Sequence, residues 1–188
     1  MSGVWVFVCG ASGAGKDSVM AWAQQRLAER PDIVFSRRVV TREAQPGAED
    51  TPVTLARFDA LRLSGGLSWH WRAHDLRYGI GAHYAAAVQE GRTVVVNGSR
   101  EHVQGLAADG DIRVVQILAE PQQLANRLEQ RGRDDPQAVH TRLTRNARFE
   151  GLRAHYTVYN HGALADAGER LLAYLTDGLN TTNSQTAR

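Results

Sequence analysis

Short apolar runs alternate with stretches of helical periodicity along the whole chain. The first run, residues 4–9, is rich in valine and ends at a glycine-rich turn, which is typical of a strand buried in a parallel sheet. Residues 18–29 place Val19, Trp22 and Leu27 on one side of a helix, and Pro31 ends it. By the same criteria we predict strands at residues 33–40, 67–71, 93–96, 113–118 and 156–159, and helices at residues 55–63, 83–90, 121–131, 137–149 and 164–175.

The segments between these elements contain residues that favour turns. Residues 43–54 include two prolines and few large apolar side chains, Tyr78-Gly79 is predicted to form a turn, and residues 132–136 separate two helices. Strands that alternate with helices predict an α/β fold, with a parallel sheet and helices on both of its faces. No internal repeat or linker divides the sequence, so we predict a single domain over residues 1–188 with a disordered polar tail at residues 180–188.

The composition excludes several kinds of protein. No run approaches the roughly 20 apolar residues that cross a bilayer, and the net charge of +2 is too small to indicate nucleic-acid binding. Cys9 is the single cysteine, so neither an internal disulfide nor a thiolate metal site is expected. The first residues show no secretory signal pattern, and we therefore expect a cytoplasmic protein.

Residues 10–16, with the sequence GASGAGK, fit the pattern G-x-x-x-x-G-K of a phosphate-binding loop between a strand and a helix. Glycines let backbone N–H groups turn toward a phosphate, and the helix N-terminus adds a positive dipole end. The alternative is a glycine-rich turn without a ligand. The pattern predicts nucleotide binding by Gly10, Ala11, Ser12, Gly13, Ala14, Gly15 and Lys16.

Lys16 is the only lysine among 22 basic residues, and we predict that it is catalytic. A lysine at this place supplies a mobile charge for the β- and γ-phosphates of ATP. Asp17 stands where the pattern has a Ser or Thr whose hydroxyl holds Mg²⁺, and Ser18 follows it. The carboxylate of Asp17 and the hydroxyl of Ser18 are both predicted metal ligands, and the sequence leaves the choice open.

Further motifs resemble the guanylate kinase superfamily over nearly the whole chain. Residues 37–42 (RRVVTR) resemble its phosphate-gripping segment, Tyr78-Gly79 its Y-G pair, and residues 158–160 (VYN) the stretch that flanks the adenine. The resemblance implies a P-loop NTPase fold with ATP and Mg²⁺ as cofactors. It also implies acceptor binding by Arg37, Arg42 and Tyr78, and nucleotide binding by Asn160.

Residues 124–132 (LANRLEQRG), followed by Arg142-Leu143, resemble the lid of that superfamily, which corresponds to about residues 127–148. Arginines suit a lid because phosphoryl transfer spreads negative charge over the moving group. From the resemblance we expect Arg131 and Arg142 to be catalytic and Arg127 to bind the nucleotide. The alternative is a solvated arginine face on two helices.

The acceptor side departs from guanylate kinases, which read guanine with carboxylates. Ser68, Asn97 and Ser99 stand at the corresponding positions, and Gln45 replaces a phosphate-gripping arginine. A site that reads a polar edge loses affinity strongly when its partner groups are absent, so GMP is a poor candidate acceptor. Arg100 adds a positive charge beside the lost carboxylates and is predicted to bind the substrate, the alternative being an exposed residue at a helix start.

The sequence is similar instead to the ribose 1,5-bisphosphate phosphokinase branch of the superfamily. The shared segments are residues 10–18, 40–42 (VTR), 67–70 (LSWH) and 95–100 (VVNGSR). This similarity implies ATP-dependent conversion of ribose 1,5-bisphosphate to 5-phospho-D-ribosyl 1-diphosphate in phosphonate breakdown, with the acceptor bound in about residues 37–90. The expected partner is thus a small phosphorylated sugar, with no nucleic acid and no membrane.

Two other functions stay open at this stage. One is a nucleoside monophosphate kinase of the guanylate kinase type with altered base choice, and the other is a non-catalytic guanylate-kinase-like binding module. The intact loop at residues 10–16 and the lid arginines favour an enzyme. We assign no role to His70 or His74, and the sequence does not define an oligomeric state.

Overall fold

The computed structural model describes residues 3–11, 13–43, 50–73, 75–106, 110–120 and 152–179. Strands and helices follow one another in the order β1 (Val4–Gly10), α1 (Lys16–Arg26), β2 (Ile33–Phe35), β3 (Arg38–Val40), β4 (Thr51–Pro52), α2 (Leu55–Leu63), β5 (Leu67–Ala73), β6 (Leu76–Gly81), α3 (His83–Gln89), β7 (Thr93–Asn97), α4 (Arg100–Gln104), β8 (Ile112–Leu118), β9 (Tyr156–Tyr159) and α5 (Leu164–Ala173), which continues as a turn of π-helix (Tyr174–Gly178). None of the helices within the described ranges is long and apolar enough to cross a membrane.

The strands form two sheets. The central sheet has the order β2-β7-β1-β8-β9, and its β2–β7 and β8–β9 pairs are parallel. The second sheet has the order β4-β3-β6-β5, in which β3–β6 and β5–β6 are antiparallel. The predicted parallel sheet is therefore confirmed, whereas the second, mostly antiparallel sheet was not predicted.

The chain folds as two compact units, Met1–Phe7 with Pro31–Arg113 and Val8–Arg30 with Val114–Arg188. In the first unit, α2 begins at the N-cap Thr54, whose hydroxyl accepts a hydrogen bond from the backbone N–H of Arg57 at 3.2 Å. Its buried Phe58 packs against the second sheet beside Gly79, where a Cβ would lie 3.3 Å from the Phe58 ring. Helix α2 therefore covers one face of the second sheet.

The core of the second unit is the contact between α1 and α5. Gly168 of α5 lies directly against Trp22 of α1, so closely that a Cβ at this position would overlap the indole ring. Leu171, one turn further along α5, is fully buried. Tyr156 and Tyr174 of the same unit stack with ring centroids 4.5 Å apart.

The prediction of one strand over residues 33–40 is wrong. Strand β2 ends at Phe35 in the central sheet, and β3 begins at Arg38 in the second sheet. Between them, the backbone N–H and the hydroxyl of Ser36 both donate to the carbonyl oxygen of Val95, at 2.8 and 3.0 Å. The Ser36 side chain thus adds a hydrogen bond where the pairing of β2 with β7 ends. The apolar pattern of residues 33–40 does not show that the chain passes from one sheet to the other at this point.

The predicted Tyr78-Gly79 turn is also wrong, because both residues lie within β6. Tyr78 pairs with Trp71 and Gly79 with His70 of β5. The turn between β5 and β6 lies earlier, where Asp75 has a φ of 62°. Residues 51–52, which were predicted as loop, form the short strand β4 beside β3.

The remaining predicted elements within the described residues are confirmed, with ends that differ by a few residues. Helix α1 begins at Lys16 rather than at residue 18, so the lysine belongs to its first turn. The predicted helices at residues 121–131 and 137–149, the break at 132–136 and the tail at 180–188 lie outside the described residues.

We expect Gly168→Ala to destabilise the protein. Alanine favours a helix over glycine by about 1 kcal/mol, but the added Cβ would overlap the half-buried Trp22 ring, and overpacking costs about 1–3 kcal/mol. Urea unfolding should show a net loss of stability. The matched control is Gly162→Ala, whose Cβ would meet only Asp166 Oδ2 at an ordinary 3.5 Å. Equal stability of the two variants would contradict this packing account.

Candidate functional site

The phosphate loop has the backbone conformation that its glycines permit. Gly13 and Gly15 have φ angles of 87° and 79°, in the left-handed region that L-residues with a side chain avoid. Gly15 is the N-cap of α1, and no side chain caps this helix end. The start of a helix presents backbone N–H groups and the positive end of the helix dipole, which is the arrangement that favours phosphate binding.

Lys16 and Asp17 form an ion pair in the first turn of α1, with 2.8 Å between Nζ and Oδ1. The lysine side chain is 16% exposed and the aspartate side chain 76%. Ser18 is exposed next to it. A carboxylate and a hydroxyl that both reach solvent fit Mg²⁺, which prefers oxygen ligands and usually takes one or two carboxylates together with substrate phosphates.

Asn160 contacts the loop itself. Its side-chain amide donates to the carbonyl oxygen of Ala14 at 2.8 Å, and its backbone N–H donates to the carbonyl oxygen of Leu118 at 2.7 Å. Asn160 is buried, with 4% of its surface exposed. The residue thus joins the end of β9 to the end of β8 and to the phosphate loop.

In the first unit, two arginines converge on the carboxylate of Asp50. Arg38 donates from Nε to Oδ1 at 2.9 Å and from Nη2 to Oδ2 at 3.2 Å, and Arg42 donates from Nη2 to Oδ2 at 2.7 Å. The third nitrogen of Arg38, Nη1, donates to the carbonyl and the side-chain oxygen of Asn97 at 3.3 and 3.2 Å. We call Arg38, Arg42, Asp50 and Asn97 the arginine–aspartate cluster.

Two further predicted acceptor residues lie near this cluster in the sequence and differ in environment. Arg37 is exposed, and its Nη2 reaches the carbonyl oxygen of Asp50 at 3.5 Å while its backbone N–H donates to the hydroxyl of Tyr84 at 2.9 Å. Arg100 is half-buried and is the first residue of α4. Both arginines therefore keep solvent access.

Tyr78 belongs to a stack of rings on one face of the second sheet. Its ring lies parallel to Trp71 at 5.6 Å, and Trp71 in turn stacks on His102 at 4.7 Å. The guanidinium of Arg38 lies 5.2 Å from the Tyr78 ring centroid, within cation–π range. Burial, and secondarily the nearby His70, lower the pKa of His102 to about 4, so the imidazole is neutral at physiological pH.

The residues that replace guanine-reading carboxylates all take part in internal hydrogen bonds. The Ser68 hydroxyl donates to the carbonyl oxygen of Gly81 at 3.3 Å, and Asn97 accepts from Arg38. Ser99 is the N-cap of α4, where its hydroxyl accepts from the backbone N–H of His102 at 3.4 Å. Each of these hydrogen bonds joins two residues of the first unit.

A cavity of about 730 Å³ opens beside the cluster in the first unit, in the size range of small-molecule sites. Its lining includes Thr41, Arg42, Arg72 and Arg77. Arg77 donates to Asp59 of α2, and Arg72 donates to Asp75 at 3.4 Å. Among the described residues, Nε and Nη1 of Arg42 have no hydrogen-bond partner, so this arginine retains donors toward the cavity.

Known proteins resemble this chain in sequence and in fold. No family model matches the chain. The chain is 42% identical to ribose 1,5-bisphosphate phosphokinase PhnN of Pseudofrankia inefficax over 178 residues, which cover 93% of this chain and 92% of that protein. Proteins of the same name from Rhizobium etli and Agrobacterium fabrum are 39% and 38% identical, over 94% and 90% of this chain and 91% and 94% of their own lengths.

The chain belongs to the ribose 1,5-bisphosphate phosphokinase family. It is therefore a kinase, a nucleotide-using enzyme with a small-molecule substrate. Guanylate kinase from Anaplasma phagocytophilum has a similar fold, with a TM-score of 0.65 and 15% identity over 100% of this chain and 88% of that chain. The predicted membership and the guanylate-kinase-like α/β fold are both confirmed.

The structure brings some predicted site residues of this phosphokinase together and leaves others undescribed. Gly10–Ala11 and Gly13–Ser18 form the loop and the first turn of α1, in the same unit as Asn160. Ser12 and the lid residues Arg127, Arg131 and Arg142 lie outside the described residues.

Sequence reasoning missed the roles of Arg38 and Asp50. Arg38 enters the sequence prediction only within the motif at residues 37–42, and Asp50 lies in residues 43–54, which are predicted to form a loop. The sequence does contain one signal for them, since three arginines lie within residues 37–42. A buried arginine needs a carboxylate beside it to balance its charge, so this group of arginines indicates that an acidic partner lies nearby.

Proposed function

We propose that this chain transfers the γ-phosphoryl group of ATP to ribose 1,5-bisphosphate and forms 5-phospho-D-ribosyl 1-diphosphate and ADP. The observation that carries the proposal is the combination of an intact phosphate loop with 38–42% identity to proteins named for phosphorylation of this sugar. A nucleoside monophosphate kinase is disfavoured because Ser68, Asn97 and Ser99 offer no carboxylate to guanine.

On the nucleotide side, the loop residues Gly10 to Lys16 bind the phosphates through backbone N–H groups, and Lys16 follows the charge of the β- and γ-phosphates. Asp17 and Ser18 would hold Mg²⁺ through their side-chain oxygens, and a bound Mg²⁺ would supply positive charge to the phosphates of ATP. Asn160 supports nucleotide binding through the Ala14 carbonyl that it contacts at 2.8 Å.

On the acceptor side, the reacting group is the 1-phosphate of the sugar. Its oxygen is already anionic near neutral pH, so no side chain has to remove a proton. A bond forms between this oxygen and the γ-phosphorus while the bond from the γ-phosphorus to the bridging β,γ-oxygen breaks, and the electron pair leaves with ADP. Positioning and charge stabilisation therefore account for catalysis.

Cations suit an acceptor with two phosphates and no base. We assign Arg37, Arg42, Tyr78 and Arg100 to acceptor binding. Arg131 and Arg142 of the lid stabilise the charge of the moving phosphoryl group, and Arg127 binds the nucleotide. Guanidinium forks are well matched to phosphate oxygens, because they form paired, charge-assisted hydrogen bonds.

An ADP-release assay with ATP and Mg²⁺ tests the proposal. We expect ribose 1,5-bisphosphate to be phosphorylated much faster than GMP, AMP, CMP, UMP or dTMP, and mass spectrometry should identify 5-phospho-D-ribosyl 1-diphosphate. Rapid phosphorylation of GMP without turnover of the bisphosphate would replace the proposal with a guanylate-kinase-type activity. Absence of turnover with every acceptor would favour a binding module.

A further inference from the structure

Asp50 is the one carboxylate that is buried among the residues that the structure describes. Its side chain is 10% exposed, and both of its oxygens accept from guanidinium groups. A buried carboxylate beside arginines that bind phosphate has two possible effects. It can hold the arginines in place, or it can act as an internal anion that competes with the substrate.

The hydrogen bonds distinguish the tasks of the two arginines. Arg38 uses all three of its nitrogens, two on Asp50 and one on Asn97 at the end of β7. A guanidinium with every nitrogen engaged and a ring beside it, here Tyr78, has little left for a substrate. Arg38 therefore serves to hold Asp50 in place.

Arg42 is in the opposite condition. It gives one hydrogen bond, from Nη2 to Asp50 Oδ2, and it lines the cavity of about 730 Å³. One fixed contact orients the plane of a guanidinium, and four of the five N–H donors of Arg42 then remain for the charge-assisted hydrogen bonds that a phosphate accepts. The cluster of two arginines and one carboxylate also keeps one net positive charge.

We infer that Asp50 is a positioning residue that aims Arg42 at a phosphate of the acceptor, with Arg38 and Asn97 as its anchor. The inference rests on the proposed function for the identity of the acceptor. Arg42 then contacts the phosphate and Arg38 does not, although the two arginines lie only four residues apart in the same motif.

The test is Asp50→Asn in the full chain, assayed with ATP, Mg²⁺ and ribose 1,5-bisphosphate. Asparagine keeps the size of the side chain but loses the charge and one of the two acceptor oxygens, so Arg42 loses its orientation. We expect the KM for the bisphosphate to rise about tenfold, while the KM for ATP stays within about twofold. The matched control is Glu90→Gln, which removes a carboxylate bound to Arg92 in the same unit, outside the lining of the cavity, and should change neither KM.

A second set of variants separates the two arginines and covers the case in which Asp50→Asn folds poorly. Arg42→Met should raise the KM for the bisphosphate more than Arg38→Met does. Arg38→Lys should behave like Arg38→Met, since a lysine cannot form the paired bond to Asp50. Asp50→Asn combined with Arg38→Met should raise the KM no further than Asp50→Asn alone.

Each result decides between the alternatives. A lower KM for the bisphosphate in Asp50→Asn would identify Asp50 as a competing internal anion and overturn the inference. An unchanged KM, or a larger effect of Arg38→Met than of Arg42→Met, would also overturn it while the wild-type activity stands. Wild-type protein that does not phosphorylate the bisphosphate would overturn the proposed function itself, and with it the inference.

Discussion

Lys16→Met is expected to lower kcat for phosphoryl transfer to ribose 1,5-bisphosphate by about 10²–10³-fold. Removal of one group that stabilises charge in a transition state typically lowers kcat by about this factor. Such a group is already oriented toward the atoms where charge develops, so the protein does not have to rearrange during the reaction. Lys16 is the only lysine of the chain and stands in the first turn of α1, directly after the left-handed Gly15. Methionine retains the unbranched side chain, so the charge is the main quantity that changes.

A matched control and a folding measurement accompany this variant. Arg26→Met removes one positive charge from the same helix, where the guanidinium carbon lies 3.4 Å from the Trp22 ring centroid, and should leave kcat within about twofold. The unfolding midpoint of Lys16→Met should stay close to that of the wild type, since its partner Asp17 is largely exposed and exposed ion pairs add little stability. Retention of wild-type kcat by Lys16→Met would contradict the catalytic assignment.

The features that could be predicted from the sequence are those fixed by local chemistry. The loop of residues 10–16 is recognisable because its glycines, its lysine and the following helix lie consecutively along the chain. The structure gives Gly13 and Gly15 the positive φ angles that the pattern requires. Strands β1, β7, β8 and β9 of the central sheet and helix α1 could be placed to within a few residues for the same reason, since their apolar periodicity is local.

The features that could not be predicted depend on pairing between distant residues. Ser36 ends the pairing of β2 through Val95, which lies 59 residues away, and no local pattern marks that change of sheet. Tyr78 was placed in a turn because Gly79 follows it, whereas Gly79 serves the strand by leaving room for Leu67. Asp50 was predicted only as part of a loop. Its contacts are with Arg38 of β3 and with Arg42, which follows β3, and the local sequence around Asp50 does not show them.

Substitution of Asn160 is expected to have the second large effect, a weaker binding of ATP. The reason is the geometry of one peptide group in the phosphate loop. In a trans peptide the C=O of one residue and the N–H of the next point in opposite directions. The Ala14 carbonyl is held by the Asn160 amide at 2.8 Å, so the Gly15 N–H points away from Asn160. The amide thereby fixes the direction of an N–H group at the start of α1, where we propose that phosphate binds.

Asn160→Ala removes the donor and leaves a buried carbonyl without its partner, which costs about 1–3 kcal/mol. The Ala14–Gly15 peptide is then free to rotate. We expect the KM for ATP to rise about tenfold, which corresponds to about 1.4 kcal/mol, and the KM for ribose 1,5-bisphosphate to stay within about twofold. Initial-rate kinetics with each substrate varied in turn measure both constants.

The matched control is His161→Ala, a truncation of the next residue, whose side chain is exposed. It should change neither KM. A rise of both KM values in Asn160→Ala would mean that the substitution disturbs the protein beyond the phosphate loop. An unchanged KM for ATP would mean that the loop keeps its conformation without the Asn160 amide. A selective rise for ATP is the result that an oriented Gly15 N–H requires, because only the substrate bound by the loop should sense the rotation of that peptide.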